Sequence, residues 1–189
     1  MKNIIELQNC KLLGSGAEGT VYLSDEGYAI KCFRKTKAAK SEDEILELTK
    51  DSRFFPKTIV RFSNVIVREY VSGENLFEHL SRRGLSYKLS CEIIDLLEDL
   101  KKLEFTRLNV RNSHIFIDEE DNLRVIDPRK PFSKVEPYPK DIIKILVKCN
   151  LYDRFLQDAL TYDPKLLSYW TDAYNVMFKK RKKRFIKYG

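Results

Sequence analysis

The sequence lacks the features of membrane-spanning, exported and zinc-binding proteins. No apolar run approaches the roughly 18 residues that a transmembrane helix needs. The first residues show no long apolar stretch followed by a small-residue cleavage site. The 4 cysteines form no C-x-x-C pair, and the 2 histidines are too few to complete a zinc site around them. We therefore expect a cytoplasmic protein whose cysteines are small core residues.

Outside one short segment, the chain carries no excess of positive charge. The 35 Lys and Arg residues and the 28 Asp and Glu residues give a net charge of +7. Residues 179–187, KKRKKRFIK, contain seven basic residues and no acid, so the rest of the chain is neutral. The basic tail, residues 179–189, predicts a contact with an acidic partner, a nucleic acid or an anionic surface. The alternative is a solvated terminus that keeps the protein soluble.

The first third of the chain alternates as β-strands do. Residues 10–33 contain the stretches CKLL, TVYLS and YAIKCF, separated by a glycine-rich turn and the turn DEG, and the last two are rich in β-branched and aromatic residues. The segment KSEDEILELTK predicts a helix with Ser41 as N-cap and Glu44 three residues later, the capping-box pattern. Residues 59–71 predict two further strands.

Helices dominate the remainder of the sequence. The segment GENLFEHLSRRG predicts a short helix that ends at Gly84, and an amphipathic helix follows it. The apolar stripe of that second helix consists of Leu89, Ile93, Leu96, Leu97, Leu100 and Leu103. Three more helices are predicted at about residues 139–149, 152–161 and 164–178.

Strands around one helix, followed mainly by helices, predict an α+β fold. With 189 residues, of which 43% are hydrophobic, the chain is long enough to bury a sizeable core. We expect a sheet-containing N-terminal lobe at residues 1–72, a reduced helical C-terminal lobe at residues 73–178 and the basic tail at residues 179–189.

The segment LLGSGAEGTVYL carries three glycines in the pattern G-x-G-x-x-G-x-V: Gly14, Gly16, Gly19 and Val21. Dinucleotide-binding folds share the three glycines, but in those folds the third glycine opens a helix. The residues TVYL after the third glycine favour a strand instead, which predicts a strand–loop–strand flap over phosphates. An ordinary glycine-rich hairpin is the alternative.

With the next strand, YAIK, the sequence resembles the protein-kinase superfamily. Ala29-Ile30-Lys31 matches the motif whose lysine contacts the α- and β-phosphates of ATP and pairs with a helix glutamate. The resemblance implies a two-lobed, protein-kinase-like fold that binds ATP and Mg²⁺. It places the nucleotide against Gly14, Ser15, Gly16, Gly19, Val21, Ala29 and Lys31.

Glu44 is the expected partner of Lys31, because it precedes Leu48 with the E-x-x-x-L spacing of the family. The same residue is also the acid of the predicted capping box, which would give it a local role instead. Glu47 and Glu42 are the substitutes for the ion pair.

The segment VIVREYVSGENL resembles the hinge that joins the lobes of kinases. The resemblance implies that backbone groups of Glu69 and Val71 contact adenine and that Glu74 reaches the ribose. Arg68 departs from the family, which usually places an apolar side chain there. Its guanidinium would crowd the base or pair with Glu44 or Asp127.

The stretch RLNVRNSHIFID lies where the family has its catalytic loop. Aligned on the strand IFID, Asn109 takes the place of the catalytic aspartate and His114 that of the metal-binding asparagine. The segment VIDPRK aligns with the magnesium-binding D-F-G motif and retains Asp127. The resemblance therefore implies catalytic roles for Lys31, Asn109 and Asp127, and metal-binding roles for Asp127 and His114.

The two replaced residues change the chemistry of the loop. Asn109 can orient a hydroxyl by hydrogen bonding but cannot take its proton, and a positioned general base contributes about 10²–10⁴ in rate. Phosphoryl transfer depends mainly on positioning and electrostatics, so the change slows the reaction without abolishing it. Magnesium prefers oxygen to imidazole, and the alternative for His114 is a hydrogen-bonded structural histidine. Asp141 resembles the family's buried aspartate that braces the catalytic loop.

Few residues follow Asp127, and no A-P-E motif occurs among them. This trimming resembles the smallest kinase-like families, namely compact bacterial kinase-like proteins and the kinase of the KEOPS tRNA-modification complex, which also ends in a basic tail. We accordingly expect an ATP- and Mg²⁺-dependent phosphotransferase of the Ser/Thr protein-kinase type with a protein substrate. The alternatives are a pseudokinase that binds a nucleotide or a protein partner, and a nucleic-acid-associated accessory protein that uses residues 179–187.

Overall fold

The computed structural model describes residues 7–127 and 131–185, apart from the side chains of residue 8 and residues 179–185. The chain separates into two compact units. The first unit is Met1–Ser72 together with Arg124–Arg129, and the second is Gly73–Leu123 together with Lys130–Gly189. The first unit is therefore discontinuous in sequence, a feature that the sequence patterns do not predict.

The first unit contains a five-stranded antiparallel sheet. Its strands are β1 (Lys11–Ser15), β2 (Gly19–Leu23), β3 (Tyr28–Phe33), β4 (Thr58–Phe62) and β5 (Val65–Glu69), in the spatial order β1-β2-β3-β5-β4. The predicted strands are confirmed: β2 to β5 contain the β-branched and aromatic residues that suit a pleated surface, whereas every residue of β1 is exposed. Strand β3 lies in the middle of the sheet, and two of its three consecutive buried residues are apolar while the third is Lys31.

One helix, α1 (Thr36–Leu48), packs against this sheet. Its buried residues, Ala39, Glu42, Ile45 and Leu46, recur at helical spacing and face the sheet. The predicted capping box is wrong: Ser41 lies inside the helix, and the N-cap is Lys35, which makes no side-chain cap. The segment TKAAK consists largely of good helix formers, so the helix begins more than a turn earlier than the Ser41 signal indicates.

The second unit opens on Gly73, whose backbone has a φ of +110°. A Cβ atom at this position would lie 2.2 Å from the carbonyl oxygen of Ile117, so only glycine fits. The close approach belongs to a short antiparallel ladder between β6 (Glu74–Asn75) and β7 (Ile115–Ile117). Strand β8 (Leu123–Val125) begins in the second unit and runs into the first.

Five helices account for most of the described part of the second unit. They are α2 (Leu76–Arg83), α3 (Tyr87–Lys102), α4 (Lys140–Lys148), α5 (Tyr152–Tyr162) and α6 (Leu166–Phe185). Helix α2 ends at Gly84 as predicted, and Asn75 caps its first turn by accepting a hydrogen bond from the backbone of Glu78. The predicted α3 stripe is buried from Leu89 to Leu100, whereas Leu103 is half-buried after the helix ends.

Aromatic packing joins the last two helices, α5 and α6. The rings of Phe155 and Trp170 meet edge to face at 4.6 Å, and Tyr152 donates a hydrogen bond to the carbonyl oxygen of Trp170 at 2.6 Å. Helix α6 continues to Phe185, beyond the predicted end at residue 178. The side chains of the basic tail lie outside the described residues, so its predicted contacts stay a prediction.

No helix in the described part of the chain is long and apolar enough to cross a membrane. The cysteines are half-buried thiols, so the expectation that they are core residues is wrong.

Candidate active site

Lys31 is a buried cation in the central strand of the first unit, with 5% of its surface exposed. Its Nζ lies 2.5 Å from Oε2 of Glu42 and forms a second ion pair with Oδ1 of Asp127. The apolar neighbours of Lys31 along β3 are buried with it. A buried ammonium is costly unless it is paired, and two carboxylates provide that pairing here.

The ion pair with Glu42 corrects the sequence-based assignment of Glu44. Glu42 lies on the buried stripe of α1, while Glu44 follows two residues later and therefore faces about 200° around the helix. The Glu44 side chain is 64% exposed and lies 3.9 Å from the exposed Lys40. Glu47, the other substitute, pairs with Lys50 at 2.6 Å on the surface. The E-x-x-x-L spacing does not distinguish the two acids, because Glu42 precedes Leu46 at the same distance as Glu44 precedes Leu48.

Asp127 reaches this cluster from the segment that follows β8. The backbone N–H of Val125 donates to the carbonyl oxygen of Phe54 at 2.7 Å and holds that segment in the first unit. Asp127 itself has a φ of +54°, a conformation that aspartate tolerates better than most residues. Its carboxylate is thereby turned toward the lysine of β3.

The predicted glycine loop connects β1 and β2. Its turn is closed by the N–H of Gly16, which donates to the carbonyl oxygen of Gly19 at 2.9 Å. A Cβ atom on Gly19 would lie 2.0 Å from the carbonyl oxygen of Cys32, whereas Gly14 and Gly16 have open space around the same position. Position 19 therefore requires glycine, because β2 and β3 approach too closely there for a side chain. Side chains at positions 14 and 16 would meet no neighbouring atom.

The predicted nucleotide-contacting residues of the sheet lie on neighbouring strands. Val21 of β2 is opposite Lys31 of β3 in the antiparallel register, and Ala29 is buried two residues before the lysine. Ser15, at the end of β1, is exposed, and its hydroxyl lies 3.1 Å from the hydroxyl of Thr20.

Glu18 is the residue of this site that sequence reasoning missed. It is half-buried although its neighbours Ser15, Gly16 and Ala17 are exposed, and the N–H of Arg34 donates to its carbonyl oxygen at 2.8 Å. One ligand atom from each of the Glu18, Glu42 and Asp127 side chains lies within 4.8 Å of the others. No spacing rule marks Glu18, because its position depends on the loop folding inward.

The electrostatics of the cluster are dominated by burial. Burial and the neighbouring Asp127 carboxyl raise the pKa of Glu42 to about 7, against the opposite effect of Lys31. Oε1 of Glu42 is buried and has no hydrogen-bond partner among the described residues. Burial also lowers the pKa of Arg68, while the negative charges of Glu42 and Asp127 act in the opposite direction.

Arg68 is buried in β5, with 4% of its surface exposed. It is opposite Ala29 in the register of β3 and β5, and its Nε has no hydrogen-bond partner among the described residues. The guanidinium is thus a second buried cation of the first unit. It lies close enough to Glu42 and Asp127 for their negative charges to act on its pKa. Two partners are predicted for Arg68. The charge of Asp127 acts on its guanidinium, whereas the side chain of Glu44 is exposed on the surface.

The predicted hinge residues have partners of their own. Oε2 of Glu69 accepts a hydrogen bond from Arg124 at 2.7 Å and one from the backbone N–H of Lys57 at 3.2 Å. Burial raises the pKa of Glu69, but these hydrogen bonds outweigh it and leave the pKa below its ordinary value. Val71 is half-buried, and Glu74, in the second unit, pairs with Arg82 at 2.7 Å.

In the second unit, Asn109 is hydrogen-bonded to the start of helix α4. Its Oδ1 accepts from the backbone N–H of Asp141 at 2.8 Å, while the N-cap of the helix is Pro139, whose side chain cannot cap. Asn109 therefore supplies the cap from a distant part of the sequence. His114 ends the 3-10 turn Asn112–His114 directly before β7 and is half-buried.

A second set of bonds holds the segment that precedes α4. Glu136 is buried, and its carboxylate accepts from Arg107 at 2.7 Å and pairs with Lys134 at 3.1 Å and Lys140 at 3.5 Å. The backbones of Arg107 and Glu136 also form an isolated parallel bridge. Three cations around one buried carboxylate fix the segment before α4 against the loop that carries Asn109.

Comparison with known proteins places these features in context. No protein-family model matches the chain. The chain is 27% identical over 139 residues to RAC-beta serine/threonine-protein kinase of Rattus norvegicus, across 62% of this chain and 29% of that kinase. It is 27% identical over 143 residues to putative ribosomal protein S6 kinase alpha-2 of Caenorhabditis elegans, across 62% of this chain and 18% of the relative. CBL-interacting protein kinase 14 of Oryza sativa subsp. japonica is 28% identical over 138 residues, with 62% and 31% covered.

These relatives support a protein-kinase-like superfamily. The antiparallel sheet with its helix, followed by helices, is the α+β architecture of a small kinase-like fold. The matched region spans less than a third of each of these kinases. The comparisons therefore give the class of fold and a kinase-like relationship.

The carboxylate oxygens of Glu18, Glu42 and Asp127 are suitable ligands for a magnesium ion. Magnesium is bound by hard oxygen ligands, usually one or two carboxylates completed by water and phosphate oxygens. Asp127 provides such a carboxylate, and the orphaned Oε1 of Glu42 marks a buried acceptor in the same cluster. The described residues contain one cluster of three or more potential metal ligands, and it is the cluster of Glu18, Glu42 and Asp127.

Proposed function

We propose that the chain is a small ATP- and Mg²⁺-dependent phosphotransferase of the Ser/Thr protein-kinase type. The observation that carries the proposal is the buried ammonium of Lys31, held by Glu42 and Asp127 in the unit that also carries the glycine loop. The distant similarity to Ser/Thr protein kinases supports ATP as the phosphate donor and a protein hydroxyl as the acceptor.

The candidate site residues of the first unit each have a role in this proposal. Lys31 contacts the phosphates of ATP, and Glu42 holds its ammonium in place by the 2.5 Å ion pair. The exposed glycine loop offers backbone N–H groups to the same phosphates. Asp127 would hold magnesium, which when bound neutralises charge that develops on the transferred phosphoryl group. Val21 and Ala29 contact the nucleotide from the neighbouring strands.

The remaining roles come from the resemblance to kinases. Backbone groups of Glu69 and Val71 would contact adenine, and Glu74 the ribose. Asn109 would hold the acceptor hydroxyl through its side-chain amide, without removing the proton. Losing a general base costs about 10²–10⁴ in rate, so we expect slow turnover rather than none.

Two measurements test the proposal. ATP should raise the thermal unfolding temperature of the protein in the presence of Mg²⁺, and Asp127→Ala should remove the magnesium-dependent part of the shift. Transfer of labelled phosphate from ATP should occur in the wild type and disappear in Lys31→Met and Asp127→Ala. Glu26→Gln is the matched control, because Glu26 is an exposed acid in the turn between β2 and β3. The proposal fails if the wild type transfers no more label than the two inactive variants.

A pseudokinase is the second candidate, and two observations favour it. The amide oxygen of Asn109 is engaged by the N–H of Asp141, and the buried guanidinium of Arg68 occupies the position before the hinge. This candidate predicts nucleotide or partner binding with little turnover, and recovery of turnover in Asn109→Asp where position 109 alone limits the rate. Robust turnover by the wild type excludes it.

A further inference from the structure

Glu18 differs in burial from its neighbours in the glycine loop. It lies in the turn between β1 and β2, where its neighbours Ser15, Gly16 and Ala17 are exposed. Its own side chain is half-buried and turns toward Glu42 and Asp127. The hydrogen bond from the N–H of Arg34 to its carbonyl oxygen ties the backbone of Glu18 to the residue that follows β3.

Three carboxylates within 4.8 Å of one another repel, so the cluster is stable only with positive charge or a proton close by. Lys31 pairs with Oε2 of Glu42 and with Oδ1 of Asp127. The Glu42 side chain is 5% exposed, and its second oxygen, Oε1, has no hydrogen-bond partner among the described residues. A buried carboxylate oxygen without a partner is costly, and it indicates that a cation or a proton belongs beside it.

A hard divalent cation fits this cluster better than an anion or a soft metal. All three side chains offer carboxylate oxygens, which magnesium and manganese prefer to sulfur or nitrogen. The resemblance to kinases implies His114 as the second metal ligand, but an imidazole suits softer metals. The glycine loop supplies an oxygen ligand of the preferred type from within the first unit.

We infer that Glu18 is a metal-ligating residue, which together with Asp127 holds a Mg²⁺ or Mn²⁺ ion next to the unpartnered oxygen of Glu42. The ion is held by the glycine loop on one side and by the segment after β8 on the other. Its site is complete within the first unit and needs no nucleotide. This inference rests on the proposed function only for the role of Asp127 and extends it by naming the second ligand.

The test is a titration of the nucleotide-free protein with Mn²⁺, in which the electron paramagnetic resonance signal reports the unbound ion. The wild type should bind one Mn²⁺, and Mg²⁺ should displace it. Glu18→Gln removes one ligand charge while keeping the shape of the side chain, and should weaken Mn²⁺ binding at least about tenfold. Glu26→Gln removes the same charge from an exposed turn of the same sheet and should leave binding unchanged.

Thermal unfolding in EDTA checks that the two variants are folded to the same extent as the wild type. The inference is overturned if the folded wild type binds no Mn²⁺, or if Glu18→Gln and Glu26→Gln bind it equally well. The same samples assayed for phosphate transfer separate the two proposals. Mn²⁺ binding that depends on Glu18, without any transfer from ATP, retains the metal site and removes the proposed function. If the wild type binds no Mn²⁺ but transfers phosphate, and Glu18→Gln transfers it equally well, the proposed function is retained and the metal site is removed.

Discussion

Lys31 Nζ meets Oε2 of Glu42 at 2.5 Å, and both side chains are almost completely buried. The predicted partner is Glu44, with Glu42 as a substitute, and Glu44 lies two residues further along the same helix. Glu42 is buried and Glu44 is exposed, so substitutions of these two acids on one helix test which of them belongs to the site.

Glu42→Ala should lower the free energy of unfolding by about 3 kcal/mol, because it removes one carboxylate from a buried ion-pair cluster. Glu44→Ala should change it by less than about 0.5 kcal/mol, since its ion pair with Lys40 is exposed. Urea denaturation of both variants and the wild type measures the difference. Equal effects of the two substitutions would contradict the assignment of Glu42 as the partner of Lys31.

The three glycines of the loop should differ sharply in their tolerance of alanine. Gly19→Ala places a Cβ atom 2.0 Å from the carbonyl oxygen of Cys32, so β2 and β3 must separate, at a cost of at least about 2 kcal/mol. Gly16→Ala meets open space and should unfold at the wild-type temperature. Differential scanning calorimetry compares them, and a normally stable Gly19→Ala would refute the close approach of the strands.

Substitutions of Asn109 should separate its structural role from any catalytic one. Asn109→Ala loses the acceptor for the N–H of Asp141 and should cost about 1 kcal/mol of stability, the typical effect of losing a helix cap. Asn109→Asp keeps an acceptor at the same place, next to a helix N-terminus that favours negative charge. Chemical denaturation should therefore show near wild-type stability for Asn109→Asp. A loss as large as that of Asn109→Ala would argue against the capping role.

The buried carboxylate of Glu136 should give a measurable pH dependence. Burial raises the pKa of Glu136, but hydrogen bonds from Lys134 and Arg107 outweigh this effect and hold it below its ordinary value of 4.5. A carboxyl whose pKa is depressed by folding stabilises the protein above its unfolded-state pKa, and loses that contribution as the pH falls through its folded-state pKa.

Glu136→Gln should accordingly be less stable than the wild type by about 1.5–3 kcal/mol at pH 7, the range for hydrogen bonds to charged groups. The difference should stay constant down to about pH 4.5 and shrink at lower pH, where the wild-type carboxyl becomes protonated. Denaturation curves collected between pH 3 and pH 7 would show this convergence. A difference that is independent of pH would mean that the charge of Glu136 contributes nothing.

The sequence predicts the elements of the fold well because their signals are local. Alternating apolar residues give the strands of the sheet, and the stripe beginning at Leu89 gives α3. The predicted start of α1 is wrong because Ser41 offers a capping signal, although the preceding residues also form helix. Helix boundaries depend on competition between such signals and on packing, which short patterns do not contain.

The candidate site is predictable in part for the same reason. Lys31 and Asp127 lie in recognisable motifs, so residue type and spacing alone are enough to identify them. The partner glutamate depends on which face of α1 packs against the sheet, since side chains two residues apart lie on opposite faces of a helix. Glu18 depends on an inward fold of a loop and on contacts with residues distant in sequence. The capping of α4 by Asn109 joins positions 32 residues apart and is likewise invisible to a local pattern.

The ion pair between Lys31 and Asp127 joins residues that are 96 positions apart in the chain. During synthesis on a ribosome, the five strands and α1 emerge long before the aspartate does, so Lys31 can pair with Glu42 but not yet with Asp127. Closing so long a segment of chain costs conformational entropy before any contact stabilises it. The complete cluster should therefore form late in folding. A nascent chain arrested before residue 124 would thus carry a recognisable sheet but an unfinished charge cluster. The order of synthesis thereby delays the candidate active site until most of the chain has been made.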